Sequence, residues 1–134
     1  MREAAPEWSL CVSTGTLRAP AAAFHTATPL ADGKRVAVYG GLAGNRSQKG
    51  VWVWEADSER WSLEHPEGRP SAGHAAGLVG DRLVLFGGVD RSSQQGDAFA
   101  GAVSAFDFRA GRWDSEYAAA LRSSLATPAP RRNP

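Results

Sequence analysis

The side chains best suited to hold a metal or activate a nucleophile are three histidines, His25, His65 and His74, and one cysteine, Cys11. A zinc or copper centre needs three or four such ligands at short, regular spacings. These four are scattered, and none belongs to an HExxH helix, a Gly-x-Ser-x-Gly elbow or a phosphate-binding loop. A single cysteine excludes an intramolecular disulfide and a cysteine-based zinc cluster. The expectation is a chain with no catalytic residue, no metal and no cofactor. His25 and His74 also stand at matching places in an internal repeat, which points to a structural role for both.

That repeat organises the chain. "KRVAVYGG" at 34–41 returns as "DRLVLFGG" at 81–88. Around each glycine pair the same features fall in the same order. A His comes first (His25, His74). The apolar run follows, ending in Gly40-Gly41 or Gly87-Gly88. After a polar stretch comes an aromatic residue (Trp54, Phe106), with a tryptophan seven residues later (Trp61, Trp113). Each copy reads as four short strands. The first lies around Phe24–Leu30 and Gly73–Val79, the second at Arg35–Tyr39 and Leu83–Phe86, the third at Val51–Glu55 and Val103–Asp107, and the fourth begins near Trp61 and Trp113. The turns "ADGK" and "VGDR" offer Gly33 and Gly80 for positive φ. Sequential strands on short turns form antiparallel meanders. Runs such as "VAVY" and "VWVW" predict sheets covered on both faces. The sole helical period is in "SEYAAALRSSL", 115–125.

In this order of features the two copies resemble the kelch repeat, whose units are the four-stranded blades of β-propellers. The resemblance covers residues 18–117 and implies an all-β fold: two four-stranded antiparallel kelch blades of an incomplete β-propeller. The division is residues 1–17 as the last strand of a preceding blade plus a linker, 18–66 as repeat one, 67–117 as repeat two, and 118–134 as a tail or lead-in to a further repeat. Trp8-Ser9-Leu10 repeats Trp61-Ser62-Leu63, and "TPAPRRNP" resembles the lead-in "EGRPSAGH". In a blade the glycine pairs serve a crowded turn, and Trp61 and Trp113 fill the wedges between neighbours. Two blades do not close a ring, and each leaves an outer face of roughly 400 Å². Such faces mark interaction sites. The expectation is a chain that is no stable monomer, completed by further blades of a longer chain, by copies of itself or by a complex.

The resemblance implies a protein–protein interaction module. The long segments, expected on one side of the meander, are the 2–3 loops (42–50 and 89–101) and the inter-blade linkers (62–73 and 12–23). Loops on a rigid scaffold commonly carry binding. The candidate contacts are Arg18, Asn45, Arg46, Gln48, Lys49, Arg69, Arg91, Gln94, Gln95 and Asp97. Many kelch repeats carry an Arg three residues before the first-strand His; here Ala22 and Ser71 stand there, which departs from a basic, carboxylate-binding pocket. The alternatives are a structural subunit of a large complex, or a fragment of an enzyme like galactose oxidase. The copper site of that family needs a Tyr–Cys crosslink, while Tyr39 belongs to the glycine-pair strand and Cys11 lies outside the repeats.

Composition sets the remaining bounds. The chain has 134 residues, 43% hydrophobic and 22% charged, with net charge +1. No global field draws it to nucleic acid or to an acidic membrane. Its aromatics fall on predicted strands rather than in basic patches. No segment reads as a secretory signal or membrane span. The lone thiol fits the cytoplasm or another reducing intracellular compartment.

Overall fold

The computed structural model describes residues 7–10, 12–91 and 102–126. They form two four-stranded antiparallel sheets, neither closed into a barrel, a small hairpin and one helix. Sheet one contains β1 (Thr26–Pro29), β2 (Arg35–Tyr39), β5 (Val51–Glu55) and β6 (Arg60–His65), in that spatial order. Between β2 and β5 the chain makes a hairpin of β3 (Leu42–Ala43) and β4 (Arg46–Ser47), where the sequence reads as an open polar loop. Sheet two contains β7 (Ala75–Val79), β8 (Arg82–Phe86), β9 (Val103–Asp107) and β10 (Arg112–Trp113). Helix α1 (Ser115–Ala126) follows directly, crossing the expected boundary between repeat two and the tail.

Local chemistry explains the strand ends. β1 starts later than expected because Phe24 takes a left-handed φ of 61°, and β7 because Gly73 takes 69°. Pro29 is tolerated because β1 is an edge strand, where a missing N–H costs the ladder nothing. The β1–β2 turn is fastened by Asp32, whose Oδ1 accepts from the backbone N–H of Lys34 (2.9 Å) and Arg35 (3.1 Å). Asp107 fastens the β9–β10 turn in the same way, accepting from the N–H of Arg109 at 2.9 Å.

The two sheets pack face to face. Ala37, Tyr39 and Val51 of sheet one meet Leu83, Leu85 and Phe106 of sheet two, with Trp113, Ala76 and Leu78 at the margin. Alternation then assigns the outer faces. Register places Val36 beside Trp54 and Val38 beside Trp52 on β2 and β5, with Trp61 and Leu63 of β6 beside those tryptophans. These side chains point away from sheet two and are half-buried or exposed. Sheet one is therefore covered on one face, not on both as "VAVY" and "VWVW" suggest. The outer face of sheet two is covered by α1, where Ala118, Tyr117 and Leu121 pack on Val84, Val103 and Ala105. The expected pair of open faces is in fact one, because residues 115–126 fold back as a helix.

Asp114 starts that helix as its N-cap. Its Oδ1 accepts from the N–H of Tyr117 at 3.0 Å, and its Oδ2 accepts from Arg82 Nε at 3.1 Å. The guanidinium of Arg82 lies 4.4 Å from the centre of the Tyr117 ring. The hydrogen bond from Tyr117 and the charge of Arg82 hold the Asp114 carboxyl below the usual carboxylate range. Asp114→Ala removes the cap, so amide exchange at Tyr117 and Ala118 should accelerate while the amides of β8 stay protected. Hydrogen exchange read by NMR checks this; uniform acceleration over both sheets would contradict a local role.

Candidate protein-interaction surface

The loop side comes together as the meander topology requires. The N–H of Gly41 donates to Ser71 O at 2.8 Å, and the N–H of Ser71 donates to Gln48 O at 3.3 Å. Ser47 Oγ donates to Val89 O and accepts from the N–H of Arg91. The 2–3 loop of sheet one, the linker to β7 and the segment after β8 thus form one surface. Asn45 and Arg46 stand exposed on the β3–β4 hairpin, and Arg91 is exposed beside them. Lys49 Nζ pairs with Glu67 Oε2 at 2.6 Å, tying loop to linker. Gln48 is half-buried, and its Nε2 donates to Arg46 O. Gln94, Gln95 and Asp97 lie outside the described residues.

Two candidates stand apart from this cluster. Arg69 turns inward: its Nη2 donates to Gly87 O at 2.8 Å, and burial pushes its basicity down. It serves the junction between the sheets. Arg18 lies on another face, bonded to Ser13 Oγ, Gly15 O and Leu17 O, and it lines a cavity with Val36, Trp54 and Trp61.

Beneath the loop side is a buried polar cluster. Tyr39, 1% exposed, donates its hydroxyl to Arg69 O at 2.6 Å and sets its ring edge-on to His74 (5.6 Å) and Trp113 (5.5 Å). Burial raises the Tyr39 phenol well above its usual range. His74 is 8% exposed; its Nε2 shares a 2.7 Å hydrogen bond with the Thr26 hydroxyl. Its repeat equivalent, His25, is exposed. The two histidines match in sequence but not in environment, because only His74 has a sheet in front of it. His65 packs its ring against Phe106 at 5.8 Å. Among the described residues no three His, Cys, Asp or Glu side chains converge as metal ligands would.

Burial first, then the charges of Arg69 and His25, lower the His74 pKa to about 4. The unfolded chain takes up this proton near pH 6.5 and the folded chain near 4, so between them the unfolded state binds more protons. Stability should therefore fall as pH drops from 6.5 to about 4, by roughly 3 kcal/mol, and level off below with respect to this group. Urea titrations across that range check it, with His74→Gln expected to flatten the dependence. An unchanged slope in the variant would assign the acid sensitivity to other groups.

The second surface is the open face of sheet one. Val36, Val38, Trp52, Trp54 and Trp61 form an apolar, tryptophan-rich layer; Trp61 meets Trp54 at 5.3 Å and Trp52 at 6.5 Å between ring centres. Trp61, expected in a wedge between sheets, instead lies on this outward face; Trp113 does sit between the sheets. The segment from Val12 to Ala22 passes over the layer without filling it. Cavities of about 340 Å³ and about 560 Å³ remain on either side of Trp61. Repeat arithmetic shows what this layer is. Val36, Val38, Trp54 and Trp61 correspond to Leu83, Leu85, Phe106 and Trp113, the face that sheet two packs against sheet one. The signal was present in the sequence as the paired offset of 47 and 52 residues, but alternation alone does not say which face lacks a neighbour.

No family model matches the chain. Over 78 residues it is 36% identical to the dynein alpha chain of the flagellar outer arm from Chlamydomonas reinhardtii. The match covers 56% of this chain and 2% of that protein, so the chain spans a small fraction of its relative's length. No helix among the described residues is long and apolar enough to cross a membrane.

Proposed function

We propose that the chain is a protein-interaction module of kelch type, a pair of propeller blades that binds other proteins through an open blade face and the adjoining loop side. The observation that carries this reading is the repeat equivalence of the two faces. The layer that blade two buries against blade one is left open on blade one itself. Burying such a layer is worth about 25 cal/mol per Å² of apolar surface, enough to make a partner sheet bind. The exposed Asn45, Arg46 and Arg91 stand at the end of the same scaffold and would set specificity at the rim. The reading includes a non-enzymatic role without cofactor, in a reducing intracellular compartment, which the lone cysteine suits.

A second reading has one specific support. The matched protein is by name a dynein chain of the flagellar outer arm, so a structural place in a large protein assembly suits the same surfaces. Both readings are tested by placing a photo-crosslinking residue singly at Val36, Lys49 and Ala119 in the full chain expressed in its own cells. Protein adducts are expected at Val36 and Lys49 and not at Ala119, which is exposed on α1. Equal adducts at all three positions would defeat the assignment of the open face and loop side.

A further inference from the structure

Sheet two lacks part of its outer strand. In sheet one β6 runs the whole length of β5, with Leu63 opposite Trp52 and His65 opposite Val51. At the repeat offset of 52 residues, Ser115 and Tyr117 should stand opposite Ser104 and Val103. They do not, because Asp114 caps α1 and the chain leaves the sheet there. β10 pairs Arg112 with Asp107 and Trp113 with Phe106, and the N–H of Asp114 reaches Ala105 O. Ala102 O accepts from the N–H of Gly87 on the β8 side. Alternation then turns the N–H and C=O of Val103 toward the β10 side, past the point where β10 ends. A cavity of about 370 Å³ takes the place of the missing strand residues. Its walls are Val103 and Ser104 at the sheet edge, Trp113 from between the sheets, and Ala118 and Ala119 of α1. The charged residues lining it are Arg69, Arg122 and Asp114.

The two arginines belong to different elements and converge on this edge. Arg122 Nη2 donates to Val103 O at 3.4 Å, and Arg69 Nη2 donates to Gly87 O at 2.8 Å. Both acceptors are backbone carbonyls, which carry no net charge. Burial lowers the basicity of Arg69 most, and the charge of Arg122 lowers it further, so the two guanidinia oppose one another. Asp114 does not balance them, because its oxygens are taken by the N–H of Tyr117 and by Arg82. We propose that the cavity binds a small acylated amino acid, its carboxylate between Arg69 and Arg122 and its amide paired with the Val103 backbone in place of the missing strand residues. The open length, Val103 and Ser104, is about 7 Å at 3.3 Å per residue, which suits one amino acid with its acyl group and not a longer chain. The Val103, Trp113 and Ala118 walls favour an aliphatic side chain. Sheet one offers no counterpart, because β6 fills the equivalent edge.

This site is independent of the protein-binding surfaces proposed above, and a small ligand in it leaves Ala119 without protein adducts. The test titrates N-acetyl-leucine into the full nitrogen-labelled chain and follows the amides by NMR. Saturable binding at or below about 1 mM is expected, with the largest shifts at Val103, Ser104 and Ala119 and none at Val36 or Trp54. N-acetyl-leucine amide lacks the charge and isocaproate lacks the amide; each should bind at least about tenfold more weakly. Arg122→Gln should weaken binding about tenfold, with Arg122→Lys recovering part of the loss. Ala119→Leu fills the cavity from an exposed helix position, so it should abolish binding while the melting temperature stays unchanged. It carries the same reading should Arg122→Gln fail to fold. Equal binding of the uncharged amide overturns the arginine pair as the anchor. Inorganic phosphate shifting the same amides as strongly overturns the ligand class. No saturable shift, or binding that survives Ala119→Leu, overturns the site. Protein adducts at Ala119 overturn the choice of a small ligand.

Discussion

Trp113→Ala is expected to lower the unfolding free energy by about 3 kcal/mol, while Trp61→Ala costs about 1 kcal/mol. The residues are repeat equivalents, and side-chain chemistry does not separate them. Trp113 stands between the sheets: its ring packs edge-on to Tyr39 at 5.5 Å and Phe106 at 5.4 Å, and its Nε1 donates to Glu67 O at 2.8 Å. Truncation leaves a cavity at the junction and removes the hydrogen bond to Glu67 O, whose residue is exposed to water. Trp61 rests on its own sheet, and its loss exposes Trp52 and Trp54 without opening the core. Guanidinium denaturation of both variants measures the difference. Equal losses would mean that Trp61 is covered in solution, by a partner sheet or by the segment from Val12 to Ala22.

The same asymmetry separates the first glycines of the two pairs. Gly40→Ala should destabilise by about 3–5 kcal/mol and Gly87→Ala by about 1–2 kcal/mol. Both glycines have left-handed φ, 72° and 74°, which costs any L-residue strain. At Gly87 an added Cβ meets nothing within 4 Å. At Gly40 it falls on Ser71 O and within 2.6 Å of His74 Cε1, so the linker and the buried histidine have to move. Thermal melts of the two variants read the gap directly. A gap below about 1 kcal/mol would show that the linker yields cheaply at Ser71.

The repeat was legible because its signals are local. Alternating β-branched and aromatic residues mark β2, β5, β8 and β9, and the turns announce themselves through Asp32-Gly33 and Gly80-Asp81. The hairpin β3–β4 was not legible, because two-residue strands carry too little alternation to register. Strand β1 came out shorter than its apolar reading, since the left-handed Phe24 is imposed by the bridge between Ala23 and Leu42 rather than by propensity. Among the candidate contacts, the exposure of Asn45, Arg46 and Lys49 follows from their place in a polar loop. The inward turn of Arg69 does not, because its acceptor, Gly87 O, lies beyond the end of β8, 18 residues further along the chain.

Sequence by itself determined two successive four-stranded meanders, the glycine pairs that end β2 and β8, and the equivalence of each residue in one copy to a residue in the other. Those properties rest on interactions within a few residues or across one turn. Tertiary structure alone decided which equivalent residues meet the other sheet. His74, Trp113 and Gly40 have a neighbouring sheet in contact, and His25, Trp61 and Gly87 do not. Helix α1 decided it further by folding onto Val84, Val103 and Ala105, leaving the Val36–Trp54–Trp61 layer as the uncovered face. A repeated sequence encodes the same sheet twice. Burial depends on what stands next to each copy, which no position within the copy specifies.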